Sequence, residues 1–207
     1  MTDIQLRPAD SSWRDAEAFA QFANMAEHNL YMFMLGKRWQ QILARVAQHP
    51  DHELSMHHAY FIEAQDGIGG MMSGYTGKQT AQFGSRSAWL VLRYGGYRLP
   101  QALYFVYKAW PAWSQEDDSP NDHTFYIQYL ALSPTFRGLG LAQRLLQKAE
   151  DLAREQGCTA LALNVLIDNQ RAISVYQLFG FEIVASPTSV KVDGQELAEH
   201  RMVKRLV

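Results

Sequence analysis

A chain of 207 residues is long enough to bury one large hydrophobic core, at most with an appended subdomain. Its 47% hydrophobic and 19% charged residues are ordinary for a globular protein, and a formal charge of −2 excludes the dominant basic surface that holds nucleic acid. A single cysteine, Cys158, excludes an internal disulfide, and no apolar run reaches the roughly 20 residues that a membrane helix needs.

The start, "MTDIQLRPAD", lacks a basic segment followed by an apolar one, so no signal peptide is expected and the cytoplasm is the expected location. "DIQLRPA" alternates as a strand does. Asp10, Ser11 or Ser12 caps a helix through "WRDAEAFAQFANMAEH", and a second helix is expected in "GKRWQQILARVAQH". "SMHHAYFIEAQ", the turn "DGIGG" and "MMSGYTGK" predict a hairpin. Residues 83 to 115 carry nine aromatics without strand alternation and end in the polar loop "SQEDDSPND". "TFYIQYLAL" is a strong strand stopped by Pro134. From Leu139 an apolar stripe through Leu141, Leu145, Leu146, Ala149 and Ala153 predicts a helix, with Glu150 and Arg154 paired on its polar face and Gly157 ending it. Cys158 follows at the start of an apolar run, where a small buried side chain is expected. "TALALNVLI" reads as a strand covered on both faces, "NQRAISVYQLFG" as a short helix, and "FEIVA" and "HRMVKRLV" as closing strands.

Strand, glycine loop, helix and strand make a βαβ unit, so "RGLGLA" (Arg137 to Ala142) lies at the carboxyl end of a strand, where α/β proteins put ligands. Helix-start N–H groups have no internal partner and carry partial positive charge. Gly138 and Gly140 leave room at the backbone and Arg137 adds a planar cation, a pattern that suits a phosphate. The Walker loop fails, because Leu141 and Ala142 stand where lysine and a hydroxyl belong. The dinucleotide fingerprint fails at Gln143, where its third glycine belongs.

In "NQRAISVYQLFGF", Asn169, Ala172 and Tyr176 share one helix face that begins at the same sheet edge. Arg137-x-x-Gly140-x-Ala142 and Asn169-x-x-Ala172-x-x-x-Tyr176-x-x-x-Gly180-Phe181, in this order, resemble the two signatures of the GNAT superfamily of N-acetyltransferases, over roughly residues 124 to 184. The resemblance implies an α/β fold with a mixed, centrally splayed sheet flanked by helices, the aromatic segment being a helical insertion before the fourth strand. It implies a single domain over 1–207, with an acceptor-side half (1–115) and an acetyl-coenzyme A half (122–207). Acetyl-coenzyme A is the implied donor. Leu130, Ala131 and Leu132 would meet its pantetheine arm, Arg137, Gly138, Leu139, Gly140, Leu141 and Ala142 would wrap its pyrophosphate, and Asn169 would contact the cofactor or help orient its thioester end. Tyr176, whose phenol is protonated at neutral pH, is the implied general acid for the departing thiolate.

The base departs from the pattern. Many members of the superfamily carry a glutamate on one of the parted strands; here Asn164 and Gln128 stand there, and neither is a base, though both can position the acceptor or a water. Gln128 is expected on the face of Tyr126 and Leu130. Asp122, His123, Glu53, His57 and His58 are alternatives. His57 and His58, adjacent on an expected strand, would point to opposite faces, and no metal site is expected. Tyr31, Phe33 and the aromatics Trp89, Tyr94, Tyr97, Tyr104, Tyr107, Trp110 and Trp113 either line the acceptor site or belong to the core or a homodimer interface. The expected acceptor is a small-molecule or peptide primary amine, with neither nucleic acid nor membrane as partner. The alternative function is an acyl-coenzyme A sensor or scaffold without turnover.

Overall fold

The computed structural model describes residues 4–95, 121–185, 190–192 and 195–206. In chain order these form β1 (Gln5–Pro8), α1 (Trp13–Ala26), α2 (Leu30–Leu35), α3 (Trp39–Ala47), β2 (Ala59–Ala64), β3 (Gly67–Thr76), α4 (Gly77–Phe83), α5 (Arg86–Gly95), β4 (Thr124–Leu132), α6 (Leu141–Glu155), β5 (Ala160–Leu166), α7 (Gln170–Leu178), β6 (Glu182–Ala185), β7 (Val190–Val192), β8 (Gln195–Leu197) and β9 (Glu199–Arg205). Seven strands make one sheet in the order β1-β2-β3-β4-β5-β9-β6, and β7 pairs with β8. Every neighbouring pair in the large sheet is antiparallel except β4 and β5.

Each face of the sheet has its own core. Phe19, Phe22, Leu43 and Val46 of α1 and α3 pack on Phe61, Met71 and Tyr129. On the opposite face Leu145, Leu146 and Ala149 of α6 meet Phe125, Ile127, Leu161 and Leu163. The start of α1 is tied into the sheet by charge as well as by packing. Ser12 caps it, its Oγ accepting from the Asp15 N–H at 3.2 Å. Buried Asp15 takes two hydrogen bonds from Arg7, at 2.6 and 2.8 Å, and Arg7 also pairs with Glu63 on β2. The bidentate pairing compensates a carboxylate that would otherwise be costly to bury.

Several elements differ from the sequence reading. α2 is wholly apolar, "LYMFML", and so offers no helical periodicity to read. His57 and His58 lie in a short 3-10 turn, Met56–His58, rather than on a strand. Leu139 is exposed and α6 begins at Leu141. Glu150 is buried rather than on a polar face, because β9 brings Lys204 Nζ within 2.6 Å of it, opposite Arg154 at 2.8 Å. Burial opposes its charge, but these two hydrogen bonds win and hold its carboxyl below the usual range. Tyr97, Tyr104, Tyr107, Trp110 and Trp113, with most of the polar loop, lie outside the described residues.

Two irregularities in β4 set up the rest of the molecule. Gly74 pairs with Ile127 and Ser73 with Tyr129, so Gln128 is an extra residue, a bulge that changes which side chains face which way. Ile127 lies in the core under α6, whereas Tyr129 lies in the core under α1. On its other edge β4 pairs with β5 only at Thr124–Ala160, Phe125–Leu161 and Tyr126–Ala162. Beyond Tyr126 the two parallel strands part: β4 continues to Leu132 and β5 to Leu166, the latter paired with β9 alone.

Candidate active site

The opening between β4 and β5 is bounded at its far end by the loop that begins α6. Gly140, the residue before the helix, has φ +72°, and Gly138 has φ +81°. A side chain is strained in that region of backbone space. A Cβ on either glycine would meet nothing within 4 Å, so the space in front of both is open. Backbone hydrogen bonding around the loop stops at Arg137 N–H on Pro134 O and resumes at Arg144 N–H on Gly140 O. Between them, among the described residues, the N–H groups of Gly138, Leu139, Gly140, Leu141 and Ala142 have no acceptor in the chain. Arg137 is held by its Nε on the Leu132 carbonyl at 3.0 Å, which leaves the outer nitrogens of the guanidinium for another partner. A bare helix start, two open glycines and a tethered cation fit a polyphosphate.

Gly69, on β3, was not singled out in the sequence, yet it positions this loop. A Cβ there would come within 2.4 Å of the Phe136 ring, and its carbonyl accepts from Ser133 N–H at 2.9 Å. Only a residue without a side chain lets the turn Pro134–Phe136 pack so closely on the sheet.

α7 brings the second group of residues to the cleft. Asn169 is its N-cap, with Oδ1 accepting from Ala172 N–H at 3.2 Å, so one side-chain acceptor is engaged within its own helix. Tyr176, two turns on, packs its ring against Phe181 with centroids 6.0 Å apart. It is buried, and burial alone pushes its phenol up to about 12. The phenol is therefore a proton carrier at neutral pH, and among the described residues nothing hydrogen-bonds its oxygen.

The face of the sheet under α1 supplies the other wall. Tyr31 of α2 and Tyr129 of β4 share a short hydrogen bond between their hydroxyls. Gln128 donates from Nε2 to the Tyr129 hydroxyl at 3.1 Å, which puts it beside Tyr129 rather than on the expected face with Leu130. Leu130 and Leu132 instead pack against the core of the opposite face. The bulge is the reason for that exchange. Asn164 accepts from Arg201 Nη1 at 3.1 Å, and the Arg201 guanidinium lies 5.1 Å from the centre of the Tyr126 ring. Phe33 is about half exposed and lies on the other side of α2 from Tyr31.

The remaining base alternatives are occupied or elsewhere. Glu53 accepts a hydrogen bond from Ser87, and His57 shares one with Ser55 at 3.0 Å. Half-buried His58 sits between the Tyr75 and Phe83 rings, and burial pushes its imidazole down. Asp122 and His123 stand at the paired end of β4, before Thr124, and the cleft opens at the other end. Tyr94 is joined to His49 at 2.9 Å in the α1–α3 core, while Trp89 is more than half exposed. Among the described residues no three His, Cys, Asp or Glu side chains converge to hold a metal. None of the described helices is long and apolar enough to cross a membrane.

A mixed sheet parted between its two parallel strands, flanked by helices and with a bare helix start at the mouth of the gap, defines the α/β class of this protein. The chain belongs to the acetyltransferase (GNAT) family, whose profile matches residues 2–181. It is similar to the thialysine N-epsilon-acetyltransferase of Mus musculus, 25% identical over 113 residues, which is 53% of this chain and 57% of that protein. It is also similar to the uncharacterized N-acetyltransferase YdgE of Bacillus subtilis (strain 168), 38% identical over 69 residues, 33% of this chain and 44% of that one. The chain spans about half the length of the curated relatives it matches. An N-acetyltransferase from Staphylococcus aureus Mu50 shares the fold, with a TM-score of 0.68 and 17% identity over 96% of this chain and 99% of that one.

Proposed function

We propose that the protein is an N-acetyltransferase that moves an acetyl group from acetyl-coenzyme A to a primary amine by direct attack. The observation that carries this reading is the parting of β4 from β5 after three residue pairs, directly beside a helix start whose N–H groups are unsatisfied. In this reading Arg137 to Ala142 hold the pyrophosphate, and the free edge of Leu130, Ala131 and Leu132 meets the pantetheine arm. The coenzyme supplies an activated acetyl thioester. The chain supplies backbone donors on that edge for the developing oxyanion, and Tyr176 supplies a proton to the sulfur that leaves. Gln128, Asn164 and Tyr31 line the acceptor side, Phe33 lies at its margin, and residues 1–115 and 122–207 divide one domain into acceptor and coenzyme halves. The mouse relative, named for acetylation of an amine, supports an amine acceptor. A cytoplasmic location and a homodimer belong to the same reading.

The test is thermal unfolding with and without saturating acetyl-coenzyme A. At about 100 times its dissociation constant the ligand adds roughly 2.7 kcal/mol, an upward shift of several degrees. Gly140→Val, which puts a branched side chain at φ +72°, should lose most of that shift. A wild-type protein indifferent to acetyl-coenzyme A would overturn the reading.

A further inference from the structure

The wall of the cleft under α1 carries a carboxylate outside the groups that hold the coenzyme. Glu27 caps the end of α1, and among the described residues its side chain has neither a hydrogen bond nor an ion pair. It lies deep in the fold and still keeps part of its surface reachable, as do Tyr31 and Tyr126. That combination belongs to groups lining a cleft, not to groups sealed in a core or lying on a convex surface.

Its position is held at a cost. His28 and Asn29, directly after it, both have positive φ, +49° and +69°, two non-glycine residues in succession in the left-handed region. Buried Asn24 clamps that turn: its Nδ2 donates to Asn29 Oδ1 at 3.0 Å, and its Oδ1 accepts from Met32 N–H at 2.9 Å. The strained turn and its clamp hold Glu27 one helical turn before Tyr31, whose hydroxyl bonds that of Tyr129 on β4, and its charge acts on Tyr31, Tyr126 and Tyr129.

The unsatisfied groups there agree in kind. Gln128 Oε1 is buried beside the Tyr129 hydroxyl with no donor, and the Glu27 carboxylate also lacks one. A buried acceptor without a donor and an unpaired, half-buried carboxylate together suit a ligand that brings donors and positive charge. An ammonium group, with three N–H donors, is that ligand.

We propose that Glu27 receives the acceptor: it binds a cationic amine at the parting of β4 and β5 and takes its ammonium proton before attack. The proposal deepens the acetyl-transfer reading and rests on it. The ammonium N–H proton passes to the Glu27 carboxylate, leaving the nitrogen lone pair free. That pair forms the C–N bond to the acetyl carbon, the C–S bond breaks with its electron pair on sulfur, and Tyr176 protonates the sulfur. The second nitrogen proton restores the tyrosine through water, and Glu27 releases the first to solvent. Burial, with Glu199 adding to it, pushes the Glu27 carboxyl up to about 7, within the range of a neutral-pH base. Other ionisable groups around it are Tyr31 on α2, Tyr75 on β3, Tyr126 and Tyr129 on β4 and Arg201 on β9, with Glu53 further off.

Two measurements on Glu27→Gln test this. Binding of 1,4-diaminobutane, n-butylamine and Nα-acetyl-lysine amide to the coenzyme A-loaded protein is measured by calorimetry at pH 8, in wild type and variant. At least one amine should bind wild type and bind the variant tenfold or more weakly, with coenzyme A affinity unchanged in both. No amine binding to wild type, or equal binding to the two proteins, overturns the proposal. Release of free thiol from acetyl-coenzyme A is then followed against pH with the amine that binds. kcat/KM should rise through about pH 7 in wild type, fall about 100-fold or more in Glu27→Gln, and lose that rise. A variant with wild-type turnover and pH profile overturns the base role. If wild type binds the amine and releases no thiol, the acetyl-transfer reading fails, while the binding comparison still decides Glu27 as the amine's counter-ion.

Discussion

The two ends of the cleft between β4 and β5 are built in different ways. At the loop end the groups on offer are backbone N–H donors, and side chains are kept away by Gly138 and Gly140. At the α1 side the groups are side chains from five separate elements: Glu27 at the end of α1, Tyr31 of α2, Gln128 and Tyr129 of β4, Asn164 of β5 and Arg201 of β9. A backbone site must be built from consecutive residues, because only a turn can aim several N–H groups at one point. A side-chain site needs no continuity. The first is therefore fixed by local chemistry, and the second, the acceptor side in the proposed reading, is free to be rebuilt without disturbing the first.

The sharpest test of that separation is Tyr176→Phe. The phenol is buried and protonated, so removing its oxygen leaves packing against Phe181 intact and removes only the proton. Turnover should fall by roughly 10²–10⁴, the range of general acid catalysis, with acetyl-coenzyme A affinity changed less than about threefold. Steady-state kinetics beside calorimetric binding reads both. Equal losses would mean that the tyrosine serves the coenzyme site and that the two ends are not separate.

The same contrast decides what was legible in the sequence. The loop and the α7 signature were readable because glycine spacing and helical spacing are local. The helical stripe of α6 and the strands β4 and β5 were readable because burial on a regular element is periodic. The bulge at Gln128 was not, since an extra residue in a strand leaves the alternation looking continuous while turning every later residue of that strand to the other face. Gly69 looked like part of a turn; its reason is Phe136, more than sixty positions away in the chain. Glu27 looked like a polar residue at a helix end. What makes it unusual is the absence of a partner, which depends on four other elements and has no local signature.

A second test concerns stability instead of rate. Burial raises the Glu27 carboxyl to about 7 from an ordinary value of 4.5. Below pH 4.5 the group is neutral in both the folded and the unfolded chain and contributes nothing. As pH rises from 4.5 to 7 the unfolded chain ionises first, so the folded state loses stability, and above 7 the loss is complete. Allowing for its part exposure, the penalty is roughly 2 kcal/mol. Glu27→Gln should therefore unfold about 4–8 °C higher than wild type at pH 8 and at the same temperature near pH 4.5. A variant less stable at pH 8 would mean that Glu27 has a partner and is not held ready for a ligand. A substitution that stabilises the fold while disabling it is what a residue placed for function predicts.

The smallest effect comes from Asn169, which stands between the two kinds of site. Its Oδ1 is taken by the Ala172 N–H, so Asn169→Ala should cost about 1 kcal/mol through the lost cap of α7. Asn169→Asp keeps a capping oxygen and removes the amide donor. If Asn169 acts only as a cap, Asp restores the unfolding temperature and leaves acetyl-coenzyme A affinity as in wild type. If its Nδ2 also donates to the coenzyme, Asp restores stability yet binds the coenzyme several-fold more weakly, and the added negative charge sharpens that loss. Because the cap is local and the contact is not, stability and affinity measured on these two variants separate the helix's own need for Asn169 from the ligand's.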